Sequence, residues 1–265
     1  MKKISALAFL FRVWNALFAC GVCLYSFFIA KNNILFGREE ILLSLGVFFL
    51  VAFANAHNDI VDFEIDKINR PNRPLPSGRI SLEQAQVAAF ISFFWAMILG
   101  VAVSIEFALL FAVIGALCFV YNRYLKGIPL AGNFTVAILT CTSIIIPIAH
   151  LGTPQPKLVT LLYFAFMLTL AREITKDIED ITGDASLGLK TFPIRFGIKS
   201  SLAIVFVLEL LCLAKLALFN SFLLVGVAPC IALSVLFACI KRWHWSQNML
   251  KLAMVAGLLT FPTSY

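Results

Sequence analysis

A chain of 265 residues that is 61% hydrophobic and only 13% charged, with a mean hydropathy of +0.95, is too apolar for a soluble domain. Its length fits one helical membrane bundle. The net charge of +7 belongs, in such a chain, to membrane-flanking loops, so nucleic acid is not the expected partner.

In chain order, nine apolar segments are each long enough for one crossing: 5–29, 40–58, 84–103, 105–122, 130–150, 158–175, 200–219, 221–240 and 247–262. The first follows Met1-Lys2-Lys3. It is too long for a signal peptide and lacks a small-residue cleavage site, so it reads as a crossing. Ser104-Ile-Glu106 and Asn220-Ser221 mark tight hairpins, and Pro147 and Pro229 should kink or loosen their helices. The seven cysteines all lie within apolar runs. Cys20-Gly-Val-Cys23 has no second pair or histidine cluster, so all seven read as small packing residues.

Basic residues orient the bundle. Lys2 and Lys3, Lys67 to Arg79, Arg123 and Lys126, Lys176 to Lys199, and Lys241 and Arg242 all fall on one side. The other side has only Lys31, Arg38, Lys157 and Lys215. Positive residues stay in the cytoplasm. The expectation is therefore an all-α membrane protein of nine transmembrane helices in a single domain spanning 1–265. Its N-terminus is cytoplasmic, its C-terminus lies outside the cell membrane, and loops 60–83 and 176–199 form a cytoplasmic cap.

Two acidic stretches break the apolar pattern: Asn58-Asp59-Ile-Val-Asp62-Phe-Glu64-Ile-Asp66 and Lys176-Asp177-Ile-Glu179-Asp180-Ile-Thr-Gly-Asp184. An offset of 118 residues carries Asp59, Asp62 and Asp66 onto Asp177, Asp180 and Asp184, and Asn55 onto Glu173. Steps of four, three and four keep each set on one helical stripe, and the repeat suggests two related halves. Three carboxylates on one face repel each other. An ionised aspartate at membrane depth costs roughly 2.5–3.5 kcal/mol. Three of the six sitting deep would approach a domain's whole stability of about 5–15 kcal/mol. They must therefore meet water or cations. An all-oxygen set without histidine or cysteine, with Asn55 and Asn58 beside it, suits Mg²⁺, which is usually bound through one or two carboxylates plus phosphate oxygens. The expectation is two acidic motifs facing a central cavity with a phosphorylated ligand between them. Basic loops adjoin both motifs: Arg70, Arg73 and Arg79 in a stretch stiffened by three prolines, Lys126 after Tyr121, and Lys190 and Arg195 after the second motif.

The paired aspartate motifs and the nine segments closely resemble the UbiA superfamily of intramembrane prenyltransferases, over nearly the whole chain. Within it, three features resemble the branch that performs the second prenylation of archaeal ether-lipid synthesis. They are Asn69-Arg-Pro-Asn-Arg-Pro-Leu-Pro-Ser-Gly-Arg-Ile-Ser81, Arg172 to Asp180, and Tyr121…Lys126 with Gly132-Asn133.

The resemblance implies Mg²⁺-dependent transfer of a geranylgeranyl group from geranylgeranyl diphosphate, the prenyl diphosphate donor. The lipid-phosphate acceptor would be geranylgeranylglyceryl phosphate, whose glycerol hydroxyl becomes an ether. It implies that Asp59, Asp62, Asp177 and Asp180 hold the metal, with Asn55, Asp66 and Asp184 completing or orienting its shell and Asn58 on the substrate side. Arg70, Arg73 and Lys126 would neutralise the leaving diphosphate. Lys190 and Arg195 would meet the acceptor phosphate, and Tyr121 and Lys176 would also line the substrate site. Arg12 and Asn15, at i and i+3, match a polar pair of the family, although its usual Arg-Pro is Arg12-Val13 here. An aromatic acceptor (a quinone head group, chlorophyllide or haem) is the alternative enzyme reading. A cation-coupled transporter is the non-enzyme one. Transporters, however, hold such sites on broken helices near the midplane, whereas these motifs end their segments beside arginine-rich loops.

Overall fold

A computed structural model describes residues 2–186, 188–218 and 221–260. It is 83% helical, with no strand among the described residues. The helices are α1 (Lys2–Leu10), α2 (Val13–Lys31), α3 (Arg38–Val61), α4 (Phe63–Asn69), α5 (Leu82–Val101), α6 (Ile105–Val120), a π-helical turn (Tyr121–Leu125), α7 (Ala131–Leu151), α8 (Pro156–Glu179), α9 (Ile181–Ser186), α10 (Phe192–Leu216), α11 (Ser221–Cys239) and α12 (Trp243–Thr260). Among the described residues, seven helices are long and apolar enough to cross a bilayer: α2, α3, α5, α6 with its π-helical turn, α7, α8 and α10. The apolar helix Val225–Cys239 within α11 is shorter.

Three sequence expectations need correction. The first segment is not one helix. It breaks between α1 and α2, where Arg12 adopts the left-handed conformation (φ 47°, ψ 56°). The helix of the seventh segment starts earlier, at Phe192, and is interrupted by Gly197 at φ 85°, ψ 160°, a conformation suited to glycine. The acidic stripes do not lie on unbroken helices either. Asp62 (φ −82°, ψ 4°) separates α3 from α4, and Asp180 (φ −90°, ψ 4°) separates α8 from α9. Both sit in the sparsely allowed bridge region. The 118-residue repeat is thus a backbone repeat as well, with the same step at the same aspartate.

The chain divides into two compact units, residues 1–123 with 142–153, and residues 124–141 with 154–265. In the first, α3 packs against α2, α5 and α6. Small residues let these helices approach closely. A Cβ on Gly46 would lie 2.3 Å from Phe111 Cε2, and one on Gly115 equally close to Phe93 Cε2. At the end of this unit that carries the first motif, Leu75 and Ile80 from the proline-rich loop join Ala6, Leu10, Ala56, Ala85 and Ala89 in one buried cluster. Ser81 then caps α5, accepting from the Gln84 amide.

In the second unit, α8 packs against α10 and α12, and α11 pairs with α12. Hydroxyls join these helices: Ser234 and Ser246 Oγ lie 2.9 Å apart, and Thr169 Oγ1 donates to Met254 Sδ at 3.7 Å. Glu209, on α10, is buried; Ser234 is its polar neighbour, but neither carboxyl oxygen has a hydrogen bond of good geometry among the described residues.

Two stability predictions follow from this packing. Phe111 is fully buried and cannot swing away, so Gly46→Val should destabilise the protein by about 1–3 kcal/mol, read as a lowered thermal midpoint in detergent. Glu209→Leu removes an unsatisfied polar group and should leave the midpoint unchanged or raise it, by at most about 1–3 kcal/mol. A fall would mean that the carboxyl has a partner.

Candidate active site

The first motif is a row of three buried carboxylates, Asp59, Asp62 and Asp66, at the end of α3, in the step and on α4. Each has a compensating donor. Arg12 Nη2 donates to Asp59 Oδ1 at 2.9 Å, and Arg73 Nη1 donates to the same oxygen at 3.1 Å and to Asp66 Oδ2 at 2.5 Å. Asn58 Nδ2 donates to Asp62 Oδ2 at 2.6 Å. Asn55 fixes the outer end of the network, accepting from Arg12 Nη1 (3.1 Å) and donating to the Phe11 carbonyl (3.1 Å).

Local structure explains why the two arginines arrive there. The break at Arg12 turns its side chain out of the apolar run and onto α3, at a strain of roughly 1–3 kcal/mol for a non-glycine residue in this region. Arg73 belongs to a loop folded on itself, with Ser77 N donating to Arg73 O and Ile80 N to Pro74 O. Gly78 supplies the positive φ (70°) of its turn. Leu75 and Ile80 pin the loop into the apolar cluster.

Beside this network lies a recess of about 620 Å³. Its polar lining is Arg12, Asn15, Asn69, Arg70, Asn72 and Arg73, and Phe9 and Trp14 also line it. Arg70 is exposed and, among the described residues, its side chain has no hydrogen-bond or ion-pair partner.

The second unit carries Asp177, Asp180 and Asp184 at the end of α8, in the step and on α9. The compensating groups differ from those of the first row. Asn133 Nδ2, from the first turn of α7, donates to Asp177 Oδ2 at 2.8 Å. Burial first, and then the neighbouring Asp180, push the Asp184 carboxyl above the usual carboxylate range, while Lys176 and Lys126 pull it back. Leu189 N donates to Asp184 O (3.0 Å), and Lys190 N donates to Gly127 O (3.2 Å). The segment after α9 therefore runs alongside the segment that carries Lys126. Glu173, the counterpart of Asn55, pairs with Arg172 and lies 3.8 Å from Lys176 Nζ.

The residues expected from sequence thus separate into groups. Asn55, Asn58, Asp59, Asp62, Asp66 and Arg73 form one network. Asn15 and Arg70 line the recess next to it. Asp177, Asp180, Asp184, Lys126 and Lys176 belong to the other motif. Tyr121 opens the π-helical turn, the Lys190 side chain is exposed, and Arg195 lies over the Phe196 ring at 5.4 Å. Three contacts were not read from sequence. One is Asn133 on Asp177. Another is the lining of the recess by Asn69 and Asn72. The third is Asn122 Nδ2 donating to His57 Nδ1 at 2.9 Å, with the His57 ring set against Phe53 and Phe119. Gly132-Asn133 is already part of the family resemblance, without a partner for the amide; for Asn122 a lone asparagine at the edge of an apolar run is the signal. Among the described residues no three histidine, cysteine or acidic side chains converge on a ready-made metal cage.

Comparison with known proteins gives a consistent result. The UbiA prenyltransferase family model matches residues 16–258. The chain is 36% identical over 240 residues to a digeranylgeranylglyceryl phosphate synthase of Methanosphaera stadtmanae, covering 85% of this chain and 88% of that one. It is 33% identical over 273 residues to the protein of the same name from Methanoregula boonei, covering 96% and 95%. A solved structure described as digeranylgeranylglyceryl phosphate synthase superposes with a TM-score of 0.80 at 27% identity, over 100% of this chain and 99% of that one. A UbiA homologue from Aeropyrum pernix K1 shares the fold, with a TM-score of 0.75 at 18% identity over 92% and 95%. With the aspartate motifs, their repeated backbone step and a family match over most of its length, the chain belongs to the UbiA prenyltransferase family.

Proposed function

We propose that the protein is a Mg²⁺-dependent membrane prenyltransferase that moves a geranylgeranyl group from geranylgeranyl diphosphate to the glycerol hydroxyl of geranylgeranylglyceryl phosphate, forming an ether. The observation that carries this reading is the pair of acidic rows, each stepped at its middle aspartate and each set against basic side chains. The relatives' shared name supports the choice of acceptor.

The donors fit magnesium. They are hard oxygen ligands, and one or two carboxylates per ion leave positions for phosphate oxygens and water. Asp59 Oδ1 is already bonded to two guanidinium groups, so an ion held by Asp59 would have to use its other oxygen or displace an arginine. Asp59 and Asp62 in one motif and Asp177 and Asp180 in the other would hold the ions, with Asn55, Asn58, Asp66 and Asp184 orienting them. Bound there, magnesium supplies Lewis-acid stabilisation of the diphosphate charge, which eases ionisation of the allylic C–O bond. Arg73 beside the first motif, and Lys126 and Lys176 beside the second, are the cations each unit offers to phosphate oxygens. The glycerol oxygen captures the allylic carbon, and its proton passes to a carboxylate, for which Asp66 and Asp184 are the candidates.

The same reading takes α11 and α12 as the eighth and ninth crossings. It keeps the N-terminus and the loops around the motifs cytoplasmic and the C-terminus outside. The distribution of lysine and arginine supports that orientation.

The deciding experiment incubates protein in nanodiscs with labelled geranylgeranyl diphosphate and either geranylgeranylglyceryl phosphate or an aromatic acceptor. Ether formation only with the former is expected; turnover only of an aromatic acceptor would replace this reading. Asp59→Asn and Asp177→Asn should each lower kcat/KM by at least about 100-fold without loss of helical signal by circular dichroism. Removing divalent cations with a chelator should abolish transfer, and Mg²⁺ should restore it; full turnover in chelator would remove the metal from the scheme.

A further inference from the structure

The recess beside the first motif holds three arginines, and they are not equivalent. Arg12 and Arg73 are committed: Arg12 to Asp59 and Asn55, Arg73 to Asp59 and Asp66. Arg70 is exposed and has no side-chain partner among the described residues. Three asparagine side chains, Asn15, Asn69 and Asn72, line the same cavity and bring amide donors. Phe9 and Trp14 also line it, and they are 56% and 83% exposed. Exposed aromatic rings at the end of a membrane helix mark the headgroup level, where one side is wet and the other apolar. One uncommitted guanidinium, several amides and an aromatic edge describe a receptor for a phosphate monoester on a lipid.

The location fits too. The phosphate and the reacting hydroxyl of the acceptor ride on one glycerol, so the phosphate must be seated close to the reacting centre. Arg12 and Arg73 both line the recess and reach into the aspartate network, so the two sites share a wall. Arg195, expected from sequence to meet the acceptor phosphate, lies over the Phe196 ring and does not line this recess.

We infer that this recess binds the phosphate of the glycerol-phosphate acceptor, with Arg70 as its principal cation, and that Arg70 sets the preference for phosphorylated over unphosphorylated acceptors. This rests on the prenyltransferase reading above for its role in catalysis, but the binding itself can be measured without turnover.

The test uses the full chain in nanodiscs of neutral lipid, without donor, and follows geranylgeranylglyceryl phosphate by phosphorus NMR titration. Arg70→Gln should weaken its binding by about 10- to 100-fold, and Arg70→Lys by less, because a charged guanidinium–phosphate pair is worth roughly that factor. The dephosphorylated lipid has no phosphorus signal, so it is added as a competitor of the bound acceptor, and its inhibition constant should be the same for wild type and Arg70→Gln. Inorganic phosphate should compete with the acceptor in wild type. An anionic bilayer phospholipid in place of the neutral lipid should compete only weakly; strong competition would assign the recess to bulk lipid headgroups and overturn the inference. In turnover, Arg70→Gln should raise KM for the phosphorylated acceptor by the same factor and leave KM for the diphosphate donor unchanged. A raised donor KM with unchanged acceptor binding would assign Arg70 to the donor and overturn the inference. So would equal acceptor binding by wild type and variant. If wild type bound the acceptor in an Arg70-dependent way yet made no ether, the functional reading would fail while the binding site stood.

Discussion

Much of the first unit follows from one buried carboxylate. Asp59 is nearly inaccessible, and a lone ion in such a place would cost several kcal/mol. Two guanidinium groups meet the same oxygen, one from each side in sequence, and each needs special backbone to get there. The long N-terminal run has to break and turn left-handed at Arg12. The loop after the motif has to fold back and plug Leu75 and Ile80 into the apolar cluster between α1, α3 and α5. A buried ion pair of this kind roughly breaks even in stability. What it supplies is a charged cluster of fixed geometry where the bundle ends.

The two halves share a backbone device and differ in how they balance charge. Each long helix steps at its middle aspartate, with nearly the same dihedral angles. The first row is then neutralised by arginines. The second leans on an amide from Asn133 and on lysine ammonium groups acting on Asp184. Arginine is a rigid fork that stays charged, whereas lysine is a mobile point charge. The first row is therefore the more rigidly wired, and the cations around the second are the more mobile.

The class of fold was legible because membrane crossings are written in composition and length, and the motifs because their spacing repeats over 118 residues. The backbone steps were not legible. Spacing of four, three and four fits a continuous helix and a stepped one equally, since Asp62 N still bonds to Asn58 O and Asp66 N to Asp62 O across the step. The break at Arg12 was hidden for a related reason. Hydropathy reports that a run is apolar, and the contacts that pull Arg12 out of line come from Asn55 and Asp59, more than forty residues away. Around the first motif, the neighbours that bond to the aspartates were legible because charge beside charge is conspicuous. The partners of Asn133 and Asn122 were not, since a single neutral amide in an apolar setting carries no periodic signal and takes its meaning from its partner.

The proline-rich loop divides its labour along its length. Two of its later residues, Leu75 and Ile80, are anchors whose size and shape the cluster dictates. Its earlier ones, Asn69 to Asn72, line an open recess and bear no packing duty comparable to the anchors. Evolution could therefore rewrite the first four positions to suit a different head group while leaving the hinge-like frame untouched. A single short stretch of chain could in this way change its polar lining without disturbing the packing beneath it.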